Sequence, residues 1–357
     1  MSDYSKELAN LILSVVEAGG SDLHLSVGRH PTLRVSGLLV PLIKKPFLTP
    51  EDMEQYVSVL LNDEQKKILI EKGEADFAYK AEGKEDIRFR CNAFKQRGFW
   101  GVAMRLIPSE IKTLEDLNLP EMLRSFALKK QGFFMVVGPT GHGKSTTLAS
   151  MVDIINHETS KHIVTIEDPI EYVFSQDKSI IDQREVSHDT STFLSGLRSM
   201  FRQDIDVAMI GEMRDAVSIS MAVTAAETGH LVFSSLHTNN ASQTVDRIID
   251  SFVAEQQNQI RLQLAGSLLG IFSQRLVPRI SGGLIPAYEL LIANNAVRNL
   301  IREGRTHELD IVMETSSSEG MIGLNKSLLD LVREGEITMD NALAYSLKSK
   351  ALMELSK

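Results

Sequence analysis

Cysteine is nearly missing from this chain of 357 residues; Cys91 stands alone. A single thiol excludes an internal disulfide and an all-cysteine metal site, and it suits a reducing compartment. Tryptophan also occurs once, and there is no basic excess: 38 Lys and Arg against 47 Asp and Glu leave a net charge of −9. Nucleic-acid motors rely on a basic stripe and on aromatic platforms for bases, so nucleic acid is not an expected partner. Long apolar runs are missing as well. Stretches such as Phe133–Val137 and Leu290–Ala293 fall far short of the roughly 20 residues of a membrane span. The N-terminus does not read as a signal peptide, because Leu8, Leu11, Ile12, Val15 and Val16 recur at the spacing of an amphipathic helix. A soluble cytoplasmic protein is expected.

What is present is enough for about two domains with full cores, since 43% of the residues are hydrophobic. Residues 1–108 read as a small α/β domain. Its opening helix stops at Gly19-Gly20, and Leu23–Val27 and Thr32–Leu42 look extended. Thr49-Pro50-Glu51-Asp52 has the form of a helix start, Asn62-Asp63 suggests a second, and Gly73 suggests its end. Ala75–Lys80, Asp86–Phe94 and Phe99–Ile107 look like strands, the last two joined in a hairpin around Gln96-Arg97-Gly98. Residues 109–120 read as a linker that lies on a domain surface through Leu114, Leu117 and Leu119.

From residue 121 to 357 the pattern changes. Apolar strands at Phe133–Val137, His162–Ile166, Val207–Ile210, Leu231–Ser235 and Pro286–Ile292 alternate with helical stretches at Ser145–Asn156, Phe193–Arg202, Ala216–Ala226 and Glu255–Gln274. Such alternation predicts a largely parallel sheet covered by helices on both faces. Beyond about residue 293 the chain reads as wholly helical.

Gly138-Pro139-Thr140-Gly141-His142-Gly143-Lys144-Ser145 fits G-x-x-x-x-G-K-[ST] between a strand and a helix. The chemistry explains the residue types. Glycines let backbone N–H groups turn inward around phosphates, and the helix N-terminus adds positive dipole. Lys144 is expected on the β- and γ-phosphates of ATP, and the Ser145 hydroxyl on Mg²⁺, with Thr146 closing the cradle. His142 falls at a free position of the pattern and reads as a variable loop residue.

Hydrolysis also needs acids beside the cradle, and two strand ends offer them. One is Ile166-Glu167-Asp168-Pro169-Ile170-Glu171; the other is Val207–Ile210 followed by Gly211-Glu212. Glu167 is taken as the base or water-positioner and Glu212 as the metal and water ligand, although the two roles are interchangeable. Glu171 reads equally well as a surface acid. His237 follows the strand Leu231–Ser235 on the phosphate side, while His230 precedes it at a turn. In Arg88-Phe89-Arg90-Cys91-Asn92, a period of two puts Arg88 and Arg90 on one face, and Arg105 follows in the partner strand. These arginines form either a solvated face or a set offered to a neighbouring subunit's nucleotide.

Together these segments resemble the secretion/type IV pilus ATPases, and within them the PilT-like retraction motors. The resemblance runs over nearly the whole chain. It is carried by Gly20-Ser21-Asp22-Leu23-His24, the Gly138–Ser145 loop, Ile166-Glu167-Asp168-Pro169, Gly211-Glu212-Met213-Arg214-Asp215, Thr224–His230, Leu236-His237-Thr238, Asp246–Asp250 and Ala296–Glu303. Asp204-Ile205-Asp206 departs from the family's Asp-Pro-Asp, and Ser234-Ser235 and Asn239-Asn240 flank the histidine motif in unusual form. The resemblance implies a PAS-like N-terminal domain and a RecA-like ATPase domain. It also implies a homohexameric ring at the cytoplasmic face of the inner membrane, acting on the platform protein at the pilus base and depolymerising the pilus. Glu167, Glu212, His230 or His237, and Arg88, Arg90 and Arg105 match the family's residues around ATP. Pilus assembly motors tend to carry extra N-terminal sequence and a four-cysteine motif, and the lack of both here points to retraction. An accessory PilT-like subunit that docks on a second such ATPase and hydrolyses slowly is the alternative.

Overall fold

The computed structural model describes residues 3–35, 37–80, 87–107, 110–213 and 215–356. Ser36, Asp86, Pro108, Ser109 and Arg214, which belong to segments named above, lie outside the described residues. The chain divides into two compact units, Met1–Glu110 and Ile111–Lys357.

The first unit runs α1 (Asp3–Glu17), β1 (Gly20–Ser26), β2 (Thr32–Val35), β3 (Leu38–Pro41), α2 (Pro50–Leu60), α3 (Asp63–Lys72), β4 (Glu74–Lys80), β5 (Arg88–Gln96) and β6 (Phe99–Ile107). Its six strands form an antiparallel sheet in the order β3-β2-β1-β6-β5-β4. Local chemistry sets the helix ends. Thr49 caps α2 in a capping box with Asp52, with Pro50 in the first turn. Asn62 and Gln65 make a second box on α3, which ends at left-handed Gly73. The α1 stripe buries Leu8, Leu11, Ile12 and Val15, but Val16 remains 41% exposed. The stretch expected as one extended segment over Thr32–Leu42 is instead two paired strands, β2 and β3. At the β5–β6 hairpin, Arg97 and Gly98 both take positive φ (51° and 88°), the backbone that a two-residue hairpin turn demands.

The second unit continues with α4 (Met122–Ala127), β7 (Gly132–Val137), α5 (Lys144–Glu158), β8 (His162–Glu167), β9 (Ile180–Glu185), α6 (Phe193–Met200), β10 (Val207–Ile210), α7 (Ala216–Glu227), β11 (Leu231–Leu236), α8 (Ala241–Asp250), α9 (Ala254–Ser267), β12 (Leu268–Pro278) and β13 (Leu284–Ile292). Helices α10 (Asn295–Glu303), α11 (Leu309–Thr315), α12 (Leu324–Arg333), α13 (Met339–Tyr345) and α14 (Ser349–Leu355) follow. The seven-stranded sheet has the order β13-β12-β7-β11-β10-β8-β9, and every pairing except β12–β13 is parallel.

Both faces of this sheet are covered. Phe134, Val136 and Phe272 pack with Leu148, Val152 and Ile155 of α5. On the other face Met135, Val137 and Ile210 pack with Ile219, Val223, Val245 and Ile248. Strands buried on both faces read as continuous apolar runs, and β7 and β11 are buried at every residue. Leu114 and Leu119, from the expected linker, are buried in the α5-side core.

Two strands differ from the sequence expectation. The helical reading of Glu255–Gln274 holds only for α9; Leu268 onward is β12. A buried apolar run such as Leu268-Leu269-Gly270-Ile271-Phe272 lacks the polar–apolar periodicity that separates helix from strand. The edge strand β9, paired to β8, has mixed polarity and was not anticipated. No helix among the described residues is long and apolar enough to cross a membrane.

Candidate active site

The Gly138–Ser145 loop leaves the end of β7 and enters α5, with β11 and β12 alongside β7. Gly138 has φ 144°, and a Cβ there would lie 2.4 Å from the carbonyl oxygen of Gln274. Glycine is therefore a steric requirement at this position, set by a neighbouring strand that outruns β7. Gly143 takes φ 81° at the N-cap of α5, which aims the first helical N–H groups into the loop.

Lys144, the first residue of α5, is 7% exposed. Its ammonium donates to the carbonyls of Gly138 (2.9 Å) and Pro139 (3.0 Å) and approaches Nδ1 of His237 at 3.2 Å. Burial lowers the Lys144 pKa, while the charges of Glu212 and Glu171 act the other way. An ammonium can only donate. The His237 Nδ1 lone pair therefore accepts, and Nε2 faces Glu212 Oε1 at 3.4 Å. Thr140 Oγ1 lies 3.2 Å from the same Nδ1. Lys144, His237 and Glu212 thus form one chain of contacts across the tips of β7, β11 and β10, with Thr140 beside them.

Glu167 is 7% exposed at the tip of β8. Its Oε1 accepts from Thr165 Oγ1 (2.6 Å) and Gln183 Nε2 (3.4 Å), and Oε2 from the Glu171 N–H (3.4 Å). Burial pushes its pKa up to about 7, against those hydrogen bonds. That value lies near the working pH of a general base, but both oxygens are engaged in holding the turn that carries Glu171. The acids whose charges act on Lys144 are Glu212 and Glu171. Glu212 therefore lies beside Lys144 through His237, while Glu167 is bonded into its neighbouring turn, an arrangement outside both role assignments that the sequence leaves open.

Other expected residues are placed as follows. His142 turns its Nδ1 to accept the Leu276 N–H at 2.9 Å, which pins the loop to β12. Thr146 is hydrogen-bonded to the Tyr172 hydroxyl at 2.8 Å. Ser145 is half-buried in the first turn of α5. His230 lies at the other end of β11, as its place before the strand implies. Its Nδ1 contacts the Ala225 carbonyl at 3.0 Å and its ring packs on Phe201, at the start of β11. The six residues of that strand at about 3.3 Å each separate it from His237, so the structure does not bring it to the cluster.

Within the first unit, Arg88 and Arg90 are exposed on β5 while Phe89 and Cys91 are buried, as the alternation predicts. Arg90 stands opposite Arg105, and Arg105 opposite Asp22. Asp22 pairs with both Arg105 (2.9 Å) and Arg34 (3.7 Å). One buried carboxylate thus offsets the repulsion of a cross-strand arginine row.

Sequence reasoning missed Gln274, whose helical assignment hid it, passed over Tyr172 and left Glu171 open. The signal for the latter two was their place in the same strand-end turn as Glu167. The donor set near Lys144 is oxygen-rich: the Ser145 hydroxyl with Glu212 and Glu171. Among the described residues, no group of three His, Cys, Asp or Glu could hold a metal unaided. Mg²⁺ fits this arrangement, because it is commonly held by one or two protein oxygens together with substrate phosphates and water.

A family model described as Type II/IV secretion system protein matches residues 4–329. The chain is 42% identical to the type IV pilus retraction ATPase PilT of Pseudomonas aeruginosa, covering 94% of this chain and 97% of that protein. It is 41% identical to the type IV pilus ATPase PilU of the same organism, covering 95% and 88%. It is also similar to a crystal structure of the pilus retraction motor PilT with bound ADP, with a TM-score of 0.90 and 44% identity over 97% and 98% of the two chains.

Proposed function

The chain belongs to the PilT-like branch of the type II/IV secretion system protein family and is an ATPase of that family, and from that premise we propose that it is a Mg-ATP-driven motor for type IV pilus retraction. The observation that carries the reading is the Lys144–His237–Glu212 contact chain at the mouth of the phosphate loop. In it, Lys144 exchanges the carbonyls of Gly138 and Pro139 for the phosphates of ATP. Glu212 orients or deprotonates the attacking water, and His237 links the two and registers the γ-phosphate. Ser145 would hold Mg²⁺, with Glu212 placed to bond its water, and the ion would neutralise charge on the phosphates. Glu167 acts indirectly by fixing the 168–171 turn.

The working form is a homohexamer at the cytoplasmic face of the inner membrane, engaging the platform protein at the pilus base. Residues 1–108 form the N-terminal domain and 121–357 the motor domain, joined by 109–120. Arg88, Arg90 and Arg105 are offered to a neighbouring subunit's nucleotide, so that hydrolysis depends on assembly. The likeness to PilU, nearly equal to that with PilT, favours a second reading: an accessory ring subunit acting with another PilT-like ATPase. Steady-state ATPase measurements on the purified protein, with Glu212→Gln as the control, distinguish the two. Turnover well above the control supports the motor. Turnover equal to the control, with ADP binding retained, favours the accessory subunit.

A further inference from the structure

Strand β12 runs on where β7 stops. Its pairing with β7 ends at Ser273 opposite Val137, so Gln274, Arg275 and Leu276 flank the phosphate loop. Alternation then sends successive side chains to opposite faces of the sheet. On one face, the Gln274 amide is 3% exposed. It donates from Nε2 to the His142 carbonyl (2.9 Å) and accepts at Oε1 from the Thr147 hydroxyl (2.7 Å). One side chain therefore ties the crown of the loop to the first turn of α5. The Leu276 N–H bond to His142 adds a second tie on the same side.

On the other face, β12 grips the segment that follows His237. Ser273 Oγ donates to the Asn239 carbonyl (3.0 Å), and Arg275 donates to Asn239 Oδ1 (3.0 Å). Glu289, directly across from Ser273 on β13, accepts the Ala241 N–H at 2.8 Å where α8 begins. Adjacent residues of one strand thus hold the two loops that supply Lys144 and His237, which meet at 3.2 Å.

We propose that Gln274 and Arg275 are positioning residues: Gln274 keeps the Gly138–Ser145 loop in its phosphate-ready shape, and Arg275 keeps the loop after His237 aimed so that His237 faces Lys144 and Glu212. The two act on different quantities. The shape of an empty phosphate loop governs how well a nucleotide is taken up, so Gln274 controls affinity. The placement of His237 matters only when the terminal phosphate reacts, so Arg275 controls turnover. This inference rests on the ATPase reading.

The test uses the full-length protein and two readouts, equilibrium titration with a fluorescent ADP and steady-state ATP turnover. Gln274→Leu is expected to weaken ADP binding at least 10-fold while kcat falls less than 3-fold. Arg275→Met is expected to lower kcat 10-fold or more while ADP affinity stays within 3-fold. Because Arg275 acts through His237, its substitution has little further effect in a His237→Ala background, which a purely structural role would not predict. Should Gln274→Leu fail to fold, Gln274→Glu carries the same test. It preserves the acceptor for Thr147 and sets a carboxylate against the His142 carbonyl, and the same weakening is expected. The assignment is overturned if both variants shift affinity and turnover together, or if Arg275→Met lowers kcat by the same factor with and without His237. Failure of the unaltered protein to bind ADP at all would instead overturn the ATPase reading beneath it.

Discussion

The two histidines that bracket β11 have similar sequence settings and opposite circumstances. His230 enters the strand with its ring on the Ala225 carbonyl and against Phe201. His237 leaves it with its ring between Lys144, Thr140 and Glu212. The same contrast holds for the two ends of the sheet. At the entering end, polar groups satisfy one another within the fold: Asp206 takes the Lys161 ammonium and the His162 N–H, both at 3.0 Å, and His162 pairs with Asp182. At the leaving end, Lys144 serves loop carbonyls and a histidine. Those are partners that a phosphate can replace. A polar cluster is a candidate for chemistry when its bonds are exchangeable, and the strand direction of a parallel sheet decides which end that will be.

If the leaving end is the reactive one, Glu212→Gln gives the largest effect, a loss of about 10²–10⁴-fold in kcat with ADP affinity nearly unchanged. Lys144→Ala comes next, lowering kcat by about 10²–10³-fold, the scale of one well-placed donor on a charged transition state, and weakening nucleotide binding as well. Turnover assays and ADP titrations measure both. Binding of Mg-nucleotide by Lys144→Ala as tight as that of the unaltered protein would break the comparison at its base. The paired substitutions His237→Ala and His230→Ala sharpen it. The first is expected to reduce turnover about 10-fold or more, on the order of one hydrogen bond to a charged group; the second is expected to change it less than about 3-fold. Equal losses would mean that β11 acts as a unit and that the difference between its ends has no catalytic meaning.

The sequence made the phosphate loop legible because its residue types are dictated by contact with phosphate, and the carboxylates because they follow apolar strands. The α2 and α3 boundaries were equally readable from Thr49, Pro50, Asn62 and Gly73, whose chemistry is local. What could not be read was anything set by a partner distant in sequence. Glycine at 138 is forced by Gln274, and His142 is held by Leu276; each contact spans more than 130 residues. The same blindness made β12 look like the end of a helix. Glu167 reads as reactive from its position, whereas its hydrogen bonds within the 165–183 region depend on how β9 returns beside β8, which the sequence does not show.

The smallest predicted effect concerns Glu167 and is a matter of stability. Burial holds its carboxyl at about 7 in the folded protein, above the ordinary glutamate value of 4.5. Between those two pH values the folded protein keeps a proton that the unfolded chain has released. Stability contributed by this group therefore falls as pH rises from about 4.5 to about 7 and levels off above that. Glu167→Gln removes the ionisation while keeping an oxygen for the Glu171 N–H and an amide for Thr165. The variant is expected to gain roughly 1–3 kcal/mol over the unaltered protein at pH 8, and little or nothing at pH 4.5. Glu289, also pushed to about 7 by burial, titrates in both proteins and cancels from the difference. Denaturant unfolding at the two pH values measures the gap. A gap of the same size at both would mean that the Glu167 carboxyl titrates alike in the folded and unfolded chain, and would leave burial without its expected effect.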